Sequence, residues 1–145
     1  PQKTARYQDA IGILEEYVRL VPNLSEPHYV LADLYYAIGD HAQAKEEAVK
    51  GRALYKNHIA TAKRAVLYYE RVEDWKNAAF FLESVLQDDP SQDAYRFDLA
   101  KVLYLLGDRP GSLREVEELR KRNPGILTTD AAFLAAITEY EQSLK

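Results

Sequence analysis

Apolar residues recur along this chain with the three-and-four spacing of an α-helix. Leu31, Leu34, Tyr35 and Ile38 form one run and Ala44, Ala48 and Leu54 the next, with Gly39-Asp40 between them. Each pair of runs predicts a helical hairpin. The pattern returns every 34 residues, with repeat starts at Ser25, Ile59, Asp93 and Leu127. In that register Pro22, Lys56, Pro90 and Pro124 share one column, and Asp40, Asp74 and Asp108 another. Gly39, Glu73 and Gly107 share a turn position, Ala44, Ala78 and Ser112 a small-residue position, and Ala48, Leu82 and Val116 an apolar one. A fixed period of this length decides the fold before any local reading does. No segment alternates apolar and polar residues between hairpin turns, so no sheet is expected.

The punctuation agrees with the pattern. A glycine after a first helix takes the left-handed conformation without steric cost, and the aspartate that follows accepts from orphan N–H groups of the second helix. Pro110 suits the start of its helix, and the prolines at 22, 90 and 124 are expected to end each second helix. The third unit departs from this scheme. Glu73 replaces the turn glycine, Lys56 the preceding proline, and Ala65-Val66 stands where a large residue followed by a small one is usual. A side chain in the left-handed region costs roughly 1–2 kcal/mol, so either the turn relaxes there or packing offsets the strain. Gly51 lies inside a predicted helix, where it costs about 1 kcal/mol against alanine; close approach of another helix accounts for it.

With the 34-residue period, Leu31-Ala32 and Leu99-Ala100 in the first helices, Trp75 opening a second helix, small residues at 44 and 78 and the terminal prolines, the chain resembles the tetratricopeptide repeat family. The resemblance implies an all-α, right-handed solenoid of antiparallel hairpins with about eight helices. It is read as a single domain over 1–145: the second helix of a partial repeat in 1–24, full repeats over 25–58, 59–92 and 93–126, and a capping helix in 127–145. Pro1 would then fall within a first helix. The sequence contains no methionine and reads as a piece of something longer.

Composition narrows the chemistry. There are 19 Lys and Arg against 23 Asp and Glu, a net charge of −4, which is the wrong sign for non-specific phosphate binding and predicts no nucleic-acid partner. The absence of cysteine removes disulfides, thiolate catalysis and Cys-ligated zinc. No apolar run approaches the ~18 residues of a membrane span, so this stretch is not expected to insert in a bilayer. His28, His41 and His58 lack a second ligand at metal-site spacing, and His28 and His41 occupy positions where this repeat packs an aromatic ring. Gly107-Asp108-Arg109-Pro110-Gly111 has no preceding strand and reads as a turn. The pairs Glu15-Glu16, Glu46-Glu47 and Glu117-Glu118 are expected on solvated faces. No catalytic residue, metal or cofactor is therefore assigned, and no compartment.

The surface of interest is the side of each first helix away from its core stripe. Reading at i, i+4 and i+7 selects Tyr29, Asp33 and Tyr36; Lys63, Leu67 and Glu70; and Phe97, Lys101 and Tyr104, with Arg64 and Arg71 flanking the middle set. The family resemblance implies that first helices line a concave groove that binds peptides or partner proteins. Aromatic residues and arginine are the types enriched at such interfaces. The asparagines with which some relatives clamp a terminal carboxylate are missing.

The two ends differ. Phe133, Ile137 and Tyr140 are expected to face inward from a closing helix whose Glu139, Glu141, Gln142 and Lys145 meet water. At the N-terminal edge, Tyr7, Ile11 and Leu14 would lack their partner helix and form an apolar patch that could pair with a second copy. Three functions follow: a protein-interaction scaffold, the accessory tail of a membrane enzyme, and a spacer. For the second, Ala65-Val66-Leu67-Tyr68-Tyr69, Leu105-Leu106-Gly107-Asp108 and Ala132-Phe133-Leu134 resemble the repeat tails of bacterial O-antigen ligase-like proteins.

Overall fold

The computed structural model describes residues 2–145, which fold into helices and turns without a strand. Pro1, expected within a first helix, lies outside the described residues. Two compact units divide the chain, Pro1–Arg71 and Val72–Lys145, and the boundary falls inside the repeat expected over 59–92.

The first unit holds α1 (Gln2–Leu20), α2 (Glu26–Ala37), α3 (His41–Leu54) and α4 (Ile59–Arg71). Helix α2 packs against all three others. Its core contains Ile11, Leu31, Ala32, Ala44, Ala48, Ala62, Ala65 and Val66, so small residues on α3 and α4 let the helix axes approach. Gly51, expected to permit close approach of another helix, instead makes room for a ring. A Cβ there would stand 2.8 Å from the Tyr29 ring, which fills the space instead. Tyr29 is wholly buried, its hydroxyl 3.0 Å from that of Tyr69, and the two rings meet edge to face. Ser25 donates to the Gly51 carbonyl at 2.6 Å, tying the start of α2 to α3.

The second unit holds α5 (Trp75–Asp88), α6 (Asp93–Leu105), α7 (Arg109–Arg122), the single turn α8 (Pro124–Leu127) and α9 (Ala131–Ser143). One apolar cluster joins Phe97, Ala100, Leu113, Val116, Leu119, Leu127, Phe133 and Ile137, with Tyr140 partly buried against it. Ser112 donates to the Ala100 carbonyl at 2.6 Å, which explains a small polar residue in the alanine column. Arg120 forks onto Glu141 at 2.8 and 2.9 Å, and Arg122 bonds Asp93 at 2.8 Å, so both arginines at the end of α7 have carboxylate partners.

The turns follow the expected chemistry. Gly39 and Gly107 adopt φ of 86° and 87°, and Glu73 keeps the left-handed geometry with φ of 57° despite its side chain. The turn does not relax. Asn57, in the connection where Lys56 replaces proline, is also left-handed, a residue type that tolerates the region. Asp40, Asp74 and Asp108 each accept from the backbone N–H three residues on, and Asp130 does the same for α9. Nine helices are present among the described residues where eight were expected. The extra one arises because Pro124 both follows the end of α7 and opens a helical turn of its own, its missing N–H harmless at that position.

Candidate protein-interaction surface

In the first unit the expected face is built by α2 and α4. Arg64, Leu67 and Arg71 fall at i, i+3 and i+7 along α4 and therefore on one side of it. Leu67 is 57% exposed, an apolar residue lying between Arg64 and Arg71 along that side of the helix. From α2, Asp33 places Oδ1 3.6 Å from Nη1 of Arg71, and the same guanidinium lies over the Tyr36 ring at 5.4 Å. Tyr36 in turn stacks on His41, with ring centroids 4.4 Å apart and planes 8° from parallel. Burial pushes the Asp33 carboxyl above the ordinary carboxylate range, while Arg71 and Arg64 pull it back down. The set is thus a partly buried carboxylate serving two arginines beside a ring fixed by stacking. Lys63 is half-buried on the same helix.

Tyr29 does not belong to this face. Its ring points into the α2–α3 interface because Gly51 opens a hole for it, and the position that reads as outward on an isolated helix is core in the hairpin. Phe97, its counterpart two repeats later, is likewise buried, with its ring 5.8 Å from that of Phe133. Lys101 covers Phe97, its Nζ 4.5 Å from the ring centroid, and reaches Asp130 at 3.7 Å. Tyr104 sits edge-on to Phe133 and carries Arg109 over its face at 4.8 Å. In the second unit the predicted residues are therefore brought together, but around Phe133, and only Lys101 and Tyr104 remain at the surface.

No protein-family model matches the chain, and no curated protein does. Solved structures do. A crystal structure of MamA superposes with a TM-score of 0.70 at 16% identity, covering 97% of this chain and 82% of that one. MamA AMB-1 gives 0.71 at 21% identity over 97% and 76%, and a MamA RS-1 double mutant gives 0.64 at 18% over 99% and 92%. The chain has the tetratricopeptide-like helical fold of MamA. At these identities the likeness is one of fold. The resemblance to O-antigen ligase tails gains no support from these comparisons.

Beyond this MamA-like framework, the N-terminal edge differs from expectation. Ile11 is buried and Tyr7 and Leu14 are half-buried, because α1 turns that side toward α2. The exposed apolar stripe lies on the other side of α1 and consists of Ile13, Tyr17 and Leu20, of which Ile13 is 72% and Leu20 64% exposed. A cavity of about 590 Å³ adjoins it, lined by Leu14, Tyr17, Leu24, Pro27, Val30 and Leu54 together with His58 and Thr61. Sequence reasoning missed both, since the apolar arc of α1 spans about half the helix and its pattern does not say which part of that arc α2 covers. Glu47 is a further correction: expected in water, it is buried with its Oε1 3.4 Å from Nδ1 of His28. Among the described residues no three His, Cys, Asp or Glu side chains are grouped to hold a metal ion, and no helix is long and apolar enough to cross a membrane.

Proposed function

We propose that the chain is a protein-interaction module whose working face is the Asp33, Tyr36, Lys63, Arg64, Leu67 and Arg71 surface of α2 and α4. The observation that carries this reading is Leu67. A leucine more than half exposed, flanked along its helix by two arginines of which Arg71 covers a stacked tyrosine, has the composition of an interface centre with its polar rim. The fold itself confers no function, so the argument rests on the face and not on the likeness to MamA. Lys101 and Tyr104 on α6, from the same repeat columns as Asp33 and Tyr36, supply a smaller surface of the same kind.

Selection of random displayed peptides on the immobilised full chain tests the proposal. Peptides recovered on the wild type should lose most of their binding to a Lys63→Glu/Arg64→Glu variant and to Leu67→Asp, with helicity and melting temperature retained. Peptides that bind all three proteins alike would place the interface elsewhere. A chain that serves only as a spacer would enrich none.

A further inference from the structure

We infer that the partner presents to α4 an amphipathic α-helix bearing two carboxylates seven residues apart with an apolar side chain between them. The inference rests on the interaction face just proposed and specifies its ligand. Two observations carry it, the charge of the face and its spacing. Asp33 pairs with Arg71 and is also acted on by Arg64, so two guanidinium charges share this carboxylate. With the flanking Lys63 and Glu70 included, the face holds three cations to two carboxylates, on a chain whose net charge is −4. The face is therefore locally opposite in sign to the molecule, which favours an acidic ligand by complementarity.

Spacing selects the ligand's backbone. Arg64 and Arg71 are seven residues apart on a helix, a rise of ~10.5 Å, with Leu67 between them on the same side. In an extended strand same-side residues recur at ~6.6 Å and then ~13 Å, which straddle that distance. A polyproline II segment brings same-side residues round at ~9.3 Å but leaves no side chain between them for Leu67. A helix reproduces all three points, with acidic residues at i and i+7 and an apolar residue at i+3 or i+4, the anchor pattern of a helix laid in a groove. Each carboxylate would meet a guanidinium, and the ligand's apolar residue would cover Leu67.

The test uses the full chain and a fluorescein-labelled, alanine-rich helical peptide of about 15 residues with that pattern. Binding is followed by fluorescence anisotropy. Changing both peptide glutamates to glutamine should weaken binding about ten-fold or more, and raising salt should weaken the glutamate peptide far more than the glutamine one. Arg64→Gln, which leaves the Arg71–Asp33 pair in place, should remove about half of the free-energy difference between the two peptides. Equal binding of the two peptides would overturn the acidic assignment while leaving the interaction face standing, provided that binding still depends on Leu67. A peptide of the same composition broken by two central prolines that binds as tightly as the helix would overturn the helical assignment. Failure of this peptide, while displayed peptides of other patterns bind and depend on Leu67, would overturn the inference alone. Failure of every peptide would take the proposed face with it.

Discussion

Gly51 lacks a side chain because the Tyr29 ring occupies that space, and the two residues have to be read together. Gly51→Ala gains about 1 kcal/mol of helix propensity but forces a fully buried ring off its hydrogen bond with Tyr69, an overpacking cost of about 1–3 kcal/mol. The expected outcome is a net loss of about 1–2 kcal/mol in urea unfolding. The opposite sign is expected at Glu73. Relief of its left-handed strain by glycine is partly offset by the greater entropy of the unfolded chain, leaving a gain of about 0.5–1 kcal/mol on Glu73→Gly. Asp33 supplies a pH signature. Its folded-state pKa is raised by burial, so the folded state holds the proton more readily, and the contribution to stability is favourable at low pH and lost as pH rises through the folded value. Asp33→Asn should therefore be more stable than wild type at pH 7, with the gap closing on titration through the carboxylate range; a gap that widens at low pH would contradict the account. At this scale the sequence was legible for the strained turn and for a glycine with no room for a side chain, but not for Tyr29 or Phe97. Both occupy one repeat column, and whether it faces outward depends on neighbouring helices, Gly51 making room for Tyr29 and Phe133 packing on Phe97, which periodicity along a single helix does not report.

Helix boundaries were the most legible feature, because caps act locally. Asp40, Asp74 and Asp108 cap where their spacing predicted, and Asp74→Ala should cost about 1 kcal/mol. What closes the second unit is less visible in the sequence, since two kinds of contact join α9 to α7. The Arg120–Glu141 fork is partly exposed and should contribute little, as exposed ion pairs usually do. Ile137 is fully buried in the cluster with Val116 and Leu119, and Ile137→Ala should cost about 3 kcal/mol by cavity formation. Thermal unfolding of the two variants side by side decides which contact holds the terminal helix; a larger loss for Arg120→Ala would reverse this ranking. At the basic end of α7, Arg120 and Arg122 each find a carboxylate partner on another helix. Those partners lie 21 and 29 residues away, beyond any local pattern.

For the molecule as a whole, a 34-residue period was enough to read the helical fold, and the superposition on MamA agrees with it. It was not enough to read the working face, because the repeat aligns columns whose exposure differs from one unit to the next: Tyr29 and Phe97 are core where Lys63 is half-buried. The account's central claim is that a partner polypeptide binds the α2–α4 surface of the first unit. Backbone amide NMR of the full chain, titrated with a peptide selected on it, tests this most directly. The account predicts shift changes concentrated at residues 33–36 and 63–71, weakened in Leu67→Asp. Changes centred instead on the apolar stripe of α1 at Ile13, Tyr17 and Leu20, with 63–71 unmoved, would contradict it.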